Sequence, residues 1–230
     1  MKNCIVQFYM PTDGYSNPNF VNIKVNQELL EYSKLSSARY AERCGADYVL
    51  IDKPSIGHVH PTFERFDLFF NQSWWKKYDQ ILYLDTDVIC WPNSPNIFQL
   101  YQNKKTFKVC QDRTALIKST QWHKQQEKNT ILSQFDPNII RNKRFNAGVF
   151  ILNSYSAELI GPHLKYKEHS DDDNRILIYA MLSSGVETEY MDWRFNKKNG
   201  VTSWFGHGYG QDKFKKNNKL LSVARQTFQV

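Results

Sequence analysis

A short apolar run that leads straight into two aspartates places the strongest constraint on how this chain folds. Residues 81–84 read Ile-Leu-Tyr-Leu and are followed at once by Asp85, Thr86 and Asp87. A run this short and rich in Leu and Ile is typical of a buried strand in an open α/β sheet. Such sheets bind ligands outside the carboxyl ends of their strands. We therefore expect both carboxylates at a ligand-binding edge.

Two carboxylates beside an apolar interior are costly unless a cation or a hydrogen-bond donor neutralises them. Hard divalent cations prefer carboxylate oxygens, and Mg²⁺ is commonly held by one or two carboxylates together with substrate phosphates. The pair Asp85 and Asp87 therefore suggests a metal site. The alternative is that Asp85 caps the following turn and Asp87 faces water.

The rest of the chain favours a single domain over residues 1–230. Its composition, 41% hydrophobic and 15% aromatic, is ample for one large core. No apolar stretch approaches the roughly 20 residues of a membrane span, and residues 1–9 lack the apolar region and cleavage site of a signal peptide. Cys4, Cys44, Cys90 and Cys110 are scattered, which predicts reduced thiols. These features indicate a cytoplasmic protein.

Strand patterns alternate with helical patterns along the chain, which predicts an α/β domain with a mixed, mostly parallel sheet flanked by helices. Further strands are expected at residues 4–9, 48–51, 108–112 and 148–152. Helices are expected at residues 26–44, 63–74 and 174–184, and the tail from residue 201 is expected to be a loop with one last helix.

A formal net charge of +7 indicates acidic partners such as phosphates, anionic lipid headgroups or nucleic acid. Much of the positive charge lies in residues 141–144 and 213–219. Because the chain has no helix-turn-helix, zinc-finger or RNP-type pattern, nucleic acid is not expected to be a partner.

Four further segments carry groups suited to the chemistry of a phosphate or sugar ligand. Asn146 offers donors and an acceptor beside a small Ala147-Gly148 step, although Asn-Ala-Gly is also an ordinary turn. Residues 171–173 are consecutive aspartates before a helical pattern, where capping explains one or two of them. His207 could ligate a borderline metal, and Lys213 beyond it could meet a phosphate. Arg65 is either surface charge or a sugar or phosphate contact.

Taken in order, these segments resemble the motifs of glycosyltransferase family 8. The resemblance spans roughly residues 60–215, and the first strand and helix also suit the GT-A fold of that family. Asp-x-Asp alone is weakly specific, whereas the ordered set with its His-to-Lys spacing is far more specific. The segments are Leu84-Asp85-Thr86-Asp87, Phe145-Asn146-Ala147-Gly148-Val149, Asp173-Asn174-Arg175-Ile176-Leu177, and His207 with Gly210 and Lys213.

The resemblance implies a retaining transferase that moves a hexose or related sugar from a UDP-sugar to a hydroxyl acceptor on a glycan, glycolipid or glycoprotein, using Mn²⁺ (or Mg²⁺). By position it makes Asp85, Asp87 and His207 the metal ligands, and Gly210 and Lys213 the diphosphate contacts. It assigns catalysis to Arg65, Asn146, Asp173 and Asn174, and extends the donor site to Tyr9, Thr86, Asp112, Ala147 and Gly148.

The chain departs from the family pattern at one site position. Where the family has Asp-Gln followed by Gly or Asp, this chain has Asp173, Asn174 and Arg175. Asn174 keeps an amide but is one methylene shorter. Retention could proceed through a covalent Asp173 adduct, or through attack by the acceptor on the face that the phosphate leaves. We favour the second route, because no carboxylate in the motif set is obviously placed as a nucleophile.

Two other functions stay open at this point. A nucleotidyltransferase would also use carboxylates and a divalent metal, but it would want a Gly-rich basic loop after the first strand, where residues 10–14 read Met-Pro-Thr-Asp-Gly. The chain could also be an inactive phosphate- or membrane-binding module. The basic, Phe-containing tail could hold the protein against an anionic membrane, or it could only close over the diphosphate.

Overall fold

A six-stranded sheet forms the centre of the computed structural model, which describes residues 1–9, 26–56, 61–165, 172–198, 200–208 and 213–228. The strand order is β2-β1-β3-β6-β5-β7. The strands are β1 (Asn3–Phe8), β2 (Asp47–Ile51), β3 (Gln80–Leu84), β5 (Phe107–Gln111), β6 (Phe145–Leu152) and β7 (Thr188–Met191).

The sheet is mixed and mainly parallel, as predicted. β1 pairs in parallel with both β2 and β3, and β5 pairs in parallel with β7. Only β6 runs antiparallel, between β3 and β5. The carboxyl ends of β1, β3, β5 and β7 and the amino end of β6 therefore meet at one edge of the sheet. We call this the catalytic edge.

Helices cover the sheet on both faces. They are α1 (Gln27–Cys44), α2 (Asp67–Phe70), α3 (Ser73–Lys77), α4 (Ile97–Leu100), α5 (Arg113–Leu116), α6 (Thr120–Gln126), α7 (Pro137–Lys143), α8 (Ser154–Ile160), α9 (Asp173–Ser184) and α10 (Lys213–Phe228). Short 3-10 segments lie at Pro61–Phe66, Ile131–Gln134, Gly161–His163 and Trp193–Asn196.

The ends of α1 follow the capping signals in the sequence. The Asn26 side chain accepts a hydrogen bond from the amide of Leu29, and Gly45 takes a left-handed conformation with φ 63°. A residue with φ in that range is disfavoured unless it is glycine, so Gly45 ends the helix where it does.

A second, smaller sheet lies beside the catalytic edge. It has the order β4-β9-β8, with β4 (Val88–Cys90), β9 (Phe205–His207) and β8 (Lys197–Lys198). β4 begins directly after Asp87, and Val88 pairs with His207. This pairing brings a residue 120 positions further along the chain next to Asp87.

Two predicted elements differ in the structure. The expected helix over residues 63–74 is a 3-10 segment followed by α2 and α3, because Asn71 takes an extended conformation and its side chain accepts from both the amide and the hydroxyl of Ser73. Asn side chains compete with the helix ladder in this way. β6 begins at Phe145, so Asn146 lies in a strand and not in a turn.

The last helix packs its apolar side chains against the first helix. Leu220, Leu221, Ala224 and Phe228 of α10 are buried in one cluster with Leu29 of α1. No helix in the described ranges is long and apolar enough to cross a membrane. The four cysteines are free thiols, as predicted.

Candidate metal and donor site

Three side chains that are distant in sequence converge at the catalytic edge. Asp85 and Asp87 follow β3, and His207 ends β9. Each offers one ligand atom, and these atoms lie within 4.8 Å of one another. The His207 Nε2 atom is 3.1 Å from Asp87 Oδ1 and 3.4 Å from Asp85 Oδ2.

A contact between Nδ1 and Asn196 fixes the orientation of the His207 ring. Nδ1 lies 2.6 Å from Oδ1 of Asn196, and the imidazole is fully buried. When Nδ1 donates to that amide oxygen, the Nε2 lone pair faces the two carboxylates. Metal-binding histidines generally donate their second ring N–H to an oxygen in this way. The sequence motifs did not identify Asn196. A single Asn before β8 gives no sign in the sequence that its side chain contacts a histidine 11 residues later.

The charges in this cluster depend on one another. Burial lowers the pKa of His207, but the adjacent Asp87 and Asp85 carboxylates outweigh it and raise the pKa to about 9. Burial raises the pKa of Asp85, yet Arg65, His207 and the Tyr83 hydroxyl hold it well below its usual range. Without a cation, His207 is therefore protonated at neutral pH and partly neutralises the two carboxylates.

Arg65 is a buried clamp and not surface charge. Its side chain is 5% exposed, and Nη2 lies 3.0 Å from Asp85 Oδ1 and 3.1 Å from Asp173 Oδ2. Nη1 donates to the carbonyl of Ala147 at 2.8 Å, and the guanidinium lies 4.7 Å from the centre of the Tyr83 ring. Arg65 thus ties the end of β3 to the start of α9 through two carboxylates.

Asp173 and Asn174 begin α9 and face the same edge. Burial raises the pKa of Asp173, and the nearby Arg65 counteracts this. The Asn174 Oδ1 atom accepts from the amide of Ala147 at 2.8 Å. Although one methylene shorter than the Gln usual in the family, Asn174 therefore still reaches β6.

Gly148 leaves room that no other residue would leave. A Cβ at this position would lie 2.1 Å from Cε1 of His207, 2.7 Å from Oδ2 of Asp85 and 2.9 Å from Oδ1 of Asn146. The first two distances are far below van der Waals contact. β6 therefore passes directly against the His207–Asp85 cluster only because residue 148 has no side chain.

The residues present fit a divalent cation. Two carboxylates and one imidazole form a donor set suited to Mn²⁺ or Mg²⁺. His207 presents Nε2 to the cluster, and the missing side chain at Gly148 lets His207 and Asp85 lie directly against β6. Asp85, Asp87 and His207 are thus the residues that could hold such an ion.

The other predicted site residues are placed as follows. Tyr9 directly follows β1, Thr86 is half-buried between the aspartates, and Asp112 caps α5 by accepting from the amide of Thr114 at 3.0 Å. Gly210 lies outside the described residues. Lys213 is the first residue of α10, and its side chain is also outside the described part.

A buried charge cluster centred on Glu127 connects two elements of the site. The sequence motifs did not identify it. Glu127 is 1% exposed, and its carboxylate accepts from Arg144, from Arg175 Nε at 2.8 Å and from the Thr130 hydroxyl at 2.9 Å. Arg144 immediately precedes β6, and Arg175 is the third residue of α9. Glu127 therefore joins the two elements that carry Asn146, Asp173 and Asn174.

Comparisons with known proteins agree with this architecture. Residues 59–160 match the model of a family described as glycosyl transferase family 8. A comparison with curated protein sequences gives no match.

Solved glycosyltransferases are among the structures with the same architecture. A glycosyltransferase involved in glycosylation of the major capsid of PBCV-1 has a TM-score of 0.57 at 9% identity, over 100% of both chains. The galactosyltransferase LgtC, in complex with donor and acceptor sugar analogues, has a TM-score of 0.52 at 13% identity, over 99% of this chain and 97% of that chain.

A mutant Drosophila β-1,4-galactosyltransferase 7, in complex with manganese, UDP-Gal and xylobiose, has a TM-score of 0.51 at 12% identity, over 94% of this chain and 74% of that chain. At such identities the likeness establishes the fold. The predicted GT-A fold is thus confirmed. The match of residues 59–160 to the family model confirms the resemblance to family 8 over that part of the chain.

Proposed function

We propose that this family 8-like glycosyltransferase transfers a hexose or related sugar from a UDP-sugar to a hydroxyl acceptor, with the anomeric configuration retained. The observation that carries the proposal is the convergence of Asp85, Asp87 and His207 at the carboxyl end of β3. The galactosyltransferase complex with manganese and UDP-Gal supports the choice of metal and nucleotide.

Asp85, Asp87 and His207 would hold Mn²⁺ (or Mg²⁺). When bound, such an ion supplies Lewis-acid stabilisation of the departing diphosphate, an effect worth several kcal/mol. Gly210 and Lys213 would contact the same diphosphate. Gly148 keeps β6 from filling the space beside His207.

Arg65, Asn146, Asp173 and Asn174 would hold and orient the donor sugar. Arg65 pairs with Asp173, and Asn174 accepts from the Ala147 amide, so these groups are held in place before a ligand arrives. Such preorganised groups stabilise charge in a transition state without reorganising. A sugar leaving a phosphate passes through an oxocarbenium-like state, as in glycoside hydrolysis. The Asp173 carboxylate would favour that positive charge.

Retention would follow attack by the acceptor on the face that the phosphate leaves, with a phosphate oxygen taking the acceptor proton. Asp173 Oδ2 is held by Arg65 at 3.1 Å, which favours an electrostatic role for this carboxylate over a nucleophilic one. Mass-spectrometric trapping of a glycosylated Asp173 would contradict this route.

The test is a panel of nucleotide-sugars incubated with the protein in Mn²⁺ and in chelator. We expect hydrolysis of one UDP-sugar that depends on Mn²⁺. Binding without turnover of any donor would instead favour the inactive phosphate-binding module.

A charge-removing variant tests the metal ligands directly. In Asp87→Asn we expect the affinity for UDP in Mn²⁺ to fall by about 10- to 100-fold, while the affinity in chelator is unchanged. Titration calorimetry measures both. Asp79→Asn, which removes a carboxylate that pairs with Lys104 before β3, is the control. Equal UDP affinity in Mn²⁺ and in chelator for the unmodified protein would contradict the metal assignment.

A further inference from the structure

A cationic aromatic surface lies next to the site, and the mechanism above does not use it. It consists of Arg113, Trp193 and Lys197, and we call it the Trp193 surface. The Trp193 side chain is 37% exposed, with the Arg113 guanidinium 5.3 Å and the Lys197 ammonium 4.7 Å from the centre of its ring. Large exposed aromatic groups with polar surroundings commonly mark binding surfaces.

The 3-10 segment that carries Trp193 also connects this surface to the metal-ligand cluster. Trp193 begins the segment and Asn196 ends it. Side chains three residues apart in a 3-10 helix are eclipsed and separated by a rise of about 6 Å. Asn196 reaches His207 and Asn146 with its side chain. The Trp193 ring therefore projects from the same face of the segment as a residue that touches the site.

Arg113 approaches the ring from the first residue of α5, which follows the neighbouring strand β5. It follows Asp112 at the carboxyl end of β5, and Trp193 follows Asp192 at the carboxyl end of β7. The two strands pair in parallel, with Cys110 opposite Met191. β7 is three strands from β3 in the sheet, or roughly 14 Å at the usual strand spacing. The surface thus lies on the catalytic edge, beyond the position of the donor sugar.

The charges of Arg113 and Lys197 are at most partly compensated by neighbouring carboxylates. The Arg113 charge helps to lower the pKa of Asp192, but the main partner of that carboxylate is Arg194. Asp192 is engaged by Arg194, which donates to it from Nε at 3.0 Å and from Nη2 at 2.8 Å. Asp112 caps α5. Within the described part of the chain, neither Arg113 nor Lys197 forms an ion pair. The two cations share one ring and so lie no more than about 10 Å apart. Like charges this close repel each other, and an anion bound beside both of them would relieve that repulsion.

We propose that the Trp193 surface binds the acceptor and that the acceptor sugar carries an anionic group, either a carboxylate or a phosphate. This inference depends on the proposed function, because it assigns the acceptor side of the same site. Arg113 supplies a donor fork for the anion and Lys197 a point charge. The Trp193 ring holds the two cationic groups in place and adds apolar contact area for the sugar.

The experiment compares acceptor affinities by titration calorimetry on the whole chain saturated with UDP and Mn²⁺, so that the diphosphate position is filled. The probes are methyl glucuronide, glucose 6-phosphate and methyl glucoside. We expect at least one anionic probe to bind about tenfold or more tightly than methyl glucoside. The stronger of the two anionic probes shows whether a carboxylate or a phosphate is recognised.

The double variant Arg113→Gln with Lys197→Gln should remove this preference. The matched control removes two lysines near the opposite edge of the sheet, Lys76→Gln with Lys105→Gln, and should keep the preference. The same anionic and neutral affinities in the unmodified protein would overturn the proposal. A preference that survives in the double variant, or that is lost in the control as well, would also overturn it.

The two proposals fail in distinguishable ways. If the unmodified protein does not bind UDP in a Mn²⁺-dependent manner, the proposed function fails. If it binds UDP in that manner but shows no preference for an anionic probe, only the acceptor inference fails. UDP affinity and the melting temperature of each variant report whether its fold and donor site are intact.

Discussion

Individual hydrogen bonds fix the geometry of the metal-ligand cluster. His207 is fully buried and its Nδ1 atom lies 2.6 Å from Asn196, so the ring has one available orientation. The Tyr83 hydroxyl donates to the Asp85 carboxylate at 2.6 Å. The Gln7 side-chain amide donates to the backbone carbonyl of Asp85 at 3.1 Å. Asp85 and His207 are therefore held in place by groups that would not themselves touch an ion.

Gly148 offers a sharp test at this scale. In Gly148→Ala the added methyl group would displace His207 or Asp85, since the Cβ would lie 2.1 Å from the imidazole. We expect the affinity for UDP in Mn²⁺ to fall by about 10-fold or more, with little change in chelator. Titration calorimetry measures both values.

The matched control for this substitution is Gly45→Ala. It adds the same methyl group at the end of α1, where a Cβ meets nothing within 4 Å. Because Gly45 has a left-handed conformation, alanine at this position should lower the free energy of unfolding by about 1 kcal/mol. We expect no effect on metal-dependent UDP binding. An unchanged UDP affinity in Gly148→Ala would show that β6 does not border the ligand space.

Part of this cluster was predictable from the sequence. Asp85 and Asp87 follow a buried apolar run, and the resemblance to family 8 adds His207 at its spacing. Asn196 and Glu127 were not predictable, because a polar side chain shows its role only through the partner it reaches. Arg65 was ambiguous for the same reason, since an arginine on a helical pattern is usually exposed.

At the scale of elements, the start of α9 is held by a buried charge cluster. Asp172 accepts from the Arg175 amide at 2.8 Å, and Arg175 in turn donates to Glu127. Arg175 replaces the small or acidic residue usual in the family. Arg175 therefore has a structural role in this protein. Through Glu127 it connects the start of α9 to the end of α6 and, by way of Arg144, to the start of β6.

Glu127→Gln tests this connection. The change keeps the shape of the side chain but leaves two partly buried arginines without a counter-charge, so we expect a loss of about 2 kcal/mol in the free energy of unfolding. Denaturant unfolding measures the loss. Glu127 acts on the proposed donor site only through Arg144 and Arg175. Small displacements of Asp173 and Asn174 should therefore lower kcat more than they raise the KM for the donor.

The loss should depend on pH. Burial raises the pKa of Glu127, but Arg144 and Arg175 outweigh it and lower the pKa below its ordinary value. The stabilisation is therefore present above the unfolded-state pKa of about 4.3 and is lost as the pH falls through the folded-state value. The stability difference between the unmodified protein and Glu127→Gln should shrink in acid. A difference that is constant from neutral to acidic pH would contradict the charge argument.

Long elements were predicted better than short ones. α1 and α9 lie where their caps place them, and β3 lies where its uninterrupted apolar run places it. The small sheet was missed, since β8 has two residues and β4 and β9 have three each, too few for a period. This matters for function, because that sheet delivers His207.

At the scale of the whole molecule, α10 connects the end of the described chain to its first helix and to the site. Its apolar residues pack against α1, and Arg225 pairs with Glu28. Because these apolar side chains are buried against α1, they are not available to insert into a membrane. Membrane contact through the basic residues of the tail stays a prediction. Flotation with anionic liposomes would test it.

α10 also bears on the strand that carries His207. A Cβ at Gly206 would lie 2.6 Å from Cδ1 of Leu220, so Leu220 packs directly on β9. Leu220→Ala would leave a cavity at that contact. We expect it to cost about 2–5 kcal/mol of stability and to weaken UDP binding in Mn²⁺, because β9 can then shift and move His207 away from the two aspartates.

Leu221→Ala separates the two effects. Leu221 is buried in the same cluster and loses the same atoms, but it is not the residue against Gly206. Thermal unfolding should show comparable losses for both variants, whereas only Leu220→Ala should lower metal-dependent UDP affinity measured well below its melting temperature. Equal losses of UDP affinity would mean that α10 stabilises the protein in general and does not position β9. A selective loss would show that the geometry of the site depends on a helix that contributes no described side chain to it.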